Sequence, residues 1–389
     1  MLYFVNACCL LLAVLVVSTN PQVASAADPQ PAEGVTTKLF DGKSLQGWTV
    51  MNDCQIVVDQ ENILLKGGNG WLRSDFTYGD FKMHIEWKAE KAADYDSGIY
   101  VRTGLKGKDF PKPSYQINLL QAHEGEVKSI RGATPQGFLI KGNEWNSFDV
   151  TAVGNSLEVA INGKPAYRVT GLKEARGYVG IQCEVIKGGS FRFRNISITE
   201  LDHHSLFNGR DLTGWEGADA PAEKCWLVDK GDLVCTGKKG PWLRSDKQYD
   251  DFNLRFDYQI SAGGNSGVFV RVPADGNHHV KEDKKPAGFE VQIIDDKGHK
   301  DLKDYQYTGS VYDIAGANPH VGRPLGDWNS MEINAKGQHI TITHNGVKVV
   351  DAPADKFPLL NQRLTKGFLG LQNHSTPVRF RNIRVGAAL

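Results

Sequence analysis

Apolar residues recur at every second position along much of this chain. Phe81, Met83, Ile85 and Trp87 alternate with Lys82, His84, Glu86 and Lys88. Phe252, Leu254, Phe256, Tyr258 and Ile260 alternate with Asn253, Arg255, Asp257 and Gln259. A two-residue period puts one face of a strand in a core and the other toward water or a groove. Asn162-Gly163 and Asn345-Gly346 each sit between alternating runs, where a tight hairpin turn needs positive φ at both positions. Nothing carries a sustained helical stripe; Lys173-Glu174-Ala175-Arg176 allows one turn at most. The pattern predicts an all-β chain of short antiparallel strands, a β-sandwich or jelly roll.

That pattern is stated twice. Leu39-Phe40-Asp41-Gly42 through Gly47-Trp48 returns as Leu206-Phe207-Asn208-Gly209 through Gly214-Trp215, and Trp71-Leu72-Arg73-Ser74-Asp75 returns as Trp242-Leu243-Arg244-Ser245-Asp246. Phe191-Arg192-Phe193-Arg194-Asn195-Ile196 closes the first copy as Val378-Arg379-Phe380-Arg381-Asn382-Ile383 closes the second. Two tandem domains follow, residues 37–200 and 201–389, each of ordinary domain size. The boundary falls near Glu200–His204, with His203 and His204 read as linker residues.

The chain opens differently. Ala7–Val17 is apolar and Ala24-Ser25-Ala26 offers small residues for cleavage, so residues 1–26 read as a secretory signal, although no Lys or Arg precedes the apolar run. Residues 27–36 read as a disordered lead-in. The expected location is secreted or periplasmic, with no membrane span. Four mature cysteines remain: Cys225 and Cys235 flank a strand–turn–strand and could pair in an oxidising compartment, leaving Cys54 with Cys183. Lys plus Arg and Asp plus Glu both number 45 and no basic run occurs, which gives no basis for nucleic-acid binding.

Differences between the copies carry the chemistry. In Gly288-Phe289-Glu290-Val291-Gln292-Ile293-Ile294-Asp295, alternation puts Glu290 and Gln292 on one face; a β-bulge near Ile293-Ile294 would bring Asp295 to the same face. The first copy has Tyr115-Gln116-Ile117-Asn118-Leu119-Leu120-Gln121, with amides for acids. Amides hydrogen-bond but do not exchange protons as carboxyls do, so the second copy is expected to be the working one. The same parity assigns Trp242, Arg244, Phe269, Arg271, Gln372 and His374 to that face, with Asn265 at the head of a neighbouring strand. Aromatic platforms and forked donors suit a sugar. Arg73, Tyr100 and Arg102 persist in the first copy, so arginines alone can be scaffold. The first copy has Gln182-Cys183-Glu184 where the second has Gln372-Asn373-His374, losing the imidazole as well. The charged loop Pro273–Ala287, with His278-His279, precedes the acid strand; it allows a lid over the groove, while its individual residues read as a solvated loop.

The spacing Glu-x-Gln-x-x-Asp resembles the acid strand of laminarinase- and lichenase-type glucanases, with the middle acid changed to an amide. More extensively, the opening Leu-Phe-Asn-Gly-x-Asp-Leu-x-Gly-Trp, Trp-Leu-Arg-Ser-Asp, Gly-Asn-Ser-Gly-Val-Phe-Val-Arg, Glu-Val-Gln-Ile-Ile-Asp-Asp and Gly-Leu-Gln-Asn-His resemble the 3-keto-disaccharide hydrolase family. This resemblance covers 206–385 closely and 38–200 more loosely. It implies two concanavalin-like jelly-roll β-sandwiches and a 3-keto-glucoside-1,2-lyase/hydratase acting on a saccharide or glycoside. For that chemistry Glu290 or His374 is expected as acid/base, Arg271 or Arg244 near the enolate oxygen, and Asp295 as an orienting group or a ligand to a divalent metal. No organic cofactor is expected. Two other readings stay open: a retaining glycanase using Glu290 and Asp295, and a non-catalytic pair of lectin-like domains.

Overall fold

The computed structural model describes residues 34–137, 140–280 and 285–389. The expected signal segment and most of the expected lead-in lie outside the described residues, as does 281–284 in the loop before the acid strand. A strand begins at Val35 and pairs through Lys38 with Ser197–Glu200, so the last two lead-in residues are strand rather than disordered.

Each copy is a sandwich of one eight-stranded and one five-stranded antiparallel sheet, the jelly-roll architecture the alternation predicts. In the second copy the smaller sheet runs Trp215–Gly217, Leu243–Tyr249, Gly367–Leu371, Asn265–Val272, Phe289–Ile294. The first copy repeats it as Trp48–Asn52, Asn69–Tyr78, Gly177–Glu184, Gly98–Thr103, Tyr115–Asn118. Separate apolar cores fill the two sandwiches, one around Phe256, Val291, Ile293 and Phe380 and the other around Trp87, Ile117, Phe148 and Phe193. Asn162 and Asn345 carry φ of 50° and 47° and their glycines 74° and 76°, which closes both hairpins as two-residue turns. Cys54, Cys183, Cys225 and Cys235 stand as free thiols, not as the two expected pairs.

One strand departs from simple alternation. Both faces of Phe252–Ile260 are almost wholly buried, because its polar face meets the first copy instead of water. There Arg255 donates to Glu200 and to the Thr77 carbonyl, and Arg384 donates to the other Glu200 oxygen. Arg73 Nη2 donates to Gly346 O at 2.8 Å, and Ser330 donates to Asp75 at 3.1 Å. His203 is buried here between Asp202 and Asn253, an anchor rather than a linker residue. The described residues accordingly form one compact unit.

Candidate active site

Strands Asn265–Val272 and Phe289–Ile294 pair without a register shift, matching Phe269 to Glu290 and Gly267 to Gln292. The even register sends Val291 and Ile293 into the core and lays the Glu290 side chain over Gly267, where a Cβ would stand 2.1 Å from its carboxyl oxygen. Only glycine gives the carboxyl that floor. Trp242 and Phe269 meet edge to face at 5.2 Å, and the His278 ring stacks on Phe269 at 4.5 Å. His278 Nε2 lies 3.4 Å from Glu290 Oε2, and its Nδ1 lies 2.9 Å from the Gly276 carbonyl. A carbonyl only accepts, so Nδ1 carries a hydrogen toward Gly276, and Nε2 is the ring nitrogen turned to the carboxyl.

Glu290 is 4% exposed. Burial pushes its pKa up to about 8; the Gln372 amide opposes the shift and the Asp313 charge adds to it. Behind the pair, His279 Nδ1 meets Asp313 at 2.9 Å and its ring abuts Tyr312. Arg363 Nη1 donates to the carbonyls of His278 and Gly288, tying the histidine loop to the head of the acid strand. The open side of this face is at His278, Trp242 and Gln372, all partly exposed.

Glu290, Gln292, Gln372, Phe269 and Trp242 therefore come together. Gln292 Oε1 accepts from the Ile293 N–H, which leaves its amide hydrogens as donors. Gln372 N–H donates to Gly267 O, while its Oε1 is buried without a partner. Arg244 is at the edge, bound to Glu216 and Ala274 O with its guanidinium over Phe368. Asn265 exchanges backbone hydrogen bonds with the Thr376 hydroxyl at the strand's start.

Three expectations need correction. Arg271 does not face the groove: with φ of 52° at a register shift, its fully buried guanidinium reaches the carbonyls of Asp250 and Gly337 and the Asp251 carboxylate. Arg102 makes the same contacts in the first copy, to Gly79 O, Gly154 O and Asp80. Asp295 is not returned by a bulge; it caps a turn, accepting from the N–H groups of Gly263, Gly298 and Lys297, which hold its pKa below the usual value. Both of its oxygens are thus engaged in holding the turn. His374 is exposed in the loop beyond Leu371. The imidazole at Glu290 is His278, which parity could not find because it lies in a loop; its neighbourhood to the acid strand in sequence was the available signal.

Among the described residues, the Glu, Asp and His side chains close enough to share an ion are Glu200, Asp202 and His203, at the junction of the copies. Both Glu200 oxygens already bind arginines, an arrangement that does not fit a divalent metal.

The domain family described as 3-keto-alpha-glucoside-1,2-lyase-like matches residues 35–199 and again 202–386. A protein from Bacteroides thetaiotaomicron named 3-keto-disaccharide hydrolase is 27% identical over 224 residues, spanning 46% of this chain and 77% of that protein. Two solved structures of putative glycosyl hydrolases from Parabacteroides distasonis are 26% and 28% identical, each covering 48% of this chain and 94% and 98% of their own, with TM-scores of 0.41 and 0.39. A carbohydrate-binding module from Bacillus subtilis is 16% identical over 40% of this chain and 96% of its own, with a TM-score of 0.32.

Proposed function

The chain belongs to the 3-keto-α-glucoside-1,2-lyase-like family, in two tandem copies, and from that premise we propose that its second copy cleaves 3-keto-glycosides by elimination and rehydration, in an exported protein. The observation that carries this reading is the buried Glu290 carboxyl held against the Nε2 of His278 on an aromatic floor.

A carbonyl at C3 acidifies the C2 proton. A carboxylate whose pKa stands near 8 is a stronger base than an exposed one and is matched to that task. Glu290 takes the C2 proton, the C1–O bond breaks, and the Glu290–His278 pair returns the proton to the departing oxygen. The products are an alcohol and a 2-hydroxy-3-keto-glucal. Water then adds at C1 while C2 is reprotonated, for net hydrolysis. The Gln292 and Gln372 amides supply hydrogen bonds to the sugar oxygens, and Trp242 a face for its ring.

The test is turnover of 3-keto-glucosides and their unoxidised parents by the mature protein, with and without chelator, followed by mass spectrometry. Cleavage of the 3-keto compounds alone, abolished in Glu290→Gln, is expected. Cleavage of the parents would overturn the elimination route.

A further inference from the structure

The first copy keeps the frame of this face without its acid. Gln116 lies over Gly98 as Glu290 lies over Gly267, and Trp71 and Tyr100 meet edge to face at 5.8 Å. Beside them is an open cleft of about 260 Å³ lined by Asp96, Ser114, Gln116, Asn118, Lys128 and Gln182. Its amides form an ordered chain: Gln116 Nε2 donates to Gln182 Oε1 at 2.5 Å, and Gln182 Nε2 donates to Glu184 at 3.0 Å. No described residue donates to Gln116 Oε1 or to the Asp96 carboxylate, so both acceptors are available in the cleft.

We propose that this cleft binds an unoxidised glycoside and performs no chemistry on it. Amides and a carboxylate fixed in one cleft match vicinal hydroxyls, each of which donates and accepts. A ketone in place of one hydroxyl would lose a donor to those acceptors, and Gln116 cannot take the C2 proton. The first copy would then hold an intact sugar unit while the second acts on an oxidised one. Only the choice of glucosides as probes rests on the proposed reaction, and turnover is scored separately.

Isothermal titration of the full mature chain with maltose and with cellobiose tests this. We expect saturable binding that weakens at least about tenfold in Gln116→Leu, the loss of one or two hydrogen bonds. Binding should be unaltered in Glu290→Gln, and turnover of a 3-keto-disaccharide unaltered in Gln116→Leu. Asp96→Ala, at a half-buried position, gives a second reading if the leucine variant does not fold. No saturable binding of either sugar, or binding lost in Glu290→Gln and kept in Gln116→Leu and Asp96→Ala, would overturn the proposal.

Discussion

His278 Nε2 stands 3.4 Å from Glu290 Oε2, although one residue comes from a loop and the other from the last strand of the smaller sheet. If this pair handles the proton, Glu290→Gln lowers kcat/KM toward a 3-keto-glucoside by about 10²–10⁴ and His278→Ala by about 10², the usual worth of positioned acid/base groups. His374→Ala should stay within about threefold, since the side chain lies outside this cluster. Steady-state kinetics of the three variants decide it, and equal losses at His278 and His374 would remove the pair from the mechanism.

Because Glu290 must be ionised to act as base, kcat/KM should climb about tenfold per pH unit below its pKa and level off above about 8. A pH profile from 5.5 to 9.5 reads this directly. A rate that falls across the same range would make Glu290 the proton donor instead.

The same group shapes stability. Its carboxyl is raised from 4.5 to about 8 in the folded chain, so the unfolded chain loses this proton first. Stability is greatest below the unfolded value and falls as pH rises toward 8, by at most about 5 kcal/mol if the whole shift is realised. Glu290→Gln should flatten the melting temperature across pH 5–8 and raise it at pH 8. Thermal denaturation of both proteins at several pH values is the check.

Arg271 is expected to act on the fold. It is fully buried and donates to two carbonyls and to Asp251. Arg271→Ala leaves those acceptors without a partner and should cost about 2–5 kcal/mol. Arg102→Ala should cost a similar amount. Urea denaturation measures both, and an Arg271→Ala protein of wild-type stability with kcat lost would restore the electrophilic role.

Glu200→Gln should destabilise the whole chain by about 3–5 kcal/mol, because Arg255 and Arg384 lose their shared buried counter-ion. Calorimetry should show the wild-type copies melting in one transition.

Strict alternation located the strands, the hairpins and Glu290, since burial of one face is what a two-residue period encodes. It misplaced Arg271 because a positive φ at a bulge turns one side chain out of parity, and a positive-φ arginine leaves no mark in the sequence. It misplaced Asp295 because nothing in the spacing distinguishes a bulge from a turn cap. His278 escaped because loops have no period; the stacking on Phe269 exists only in three dimensions. The polar face of Phe252–Ile260 looked solvated because its cover comes from the other copy.

Glu200 makes the two copies depend on one another electrostatically. It closes the last strand of the first copy, yet its two oxygens neutralise arginines of the second. Without the first copy Arg384 would lose its carboxylate partner, and Arg255 would keep Glu332 but lose Glu200. The half of the molecule whose equivalent strand carries amides thus also supplies the carboxylate that the other half's arginines share, so its removal would unbalance the charge of the half that keeps the acid.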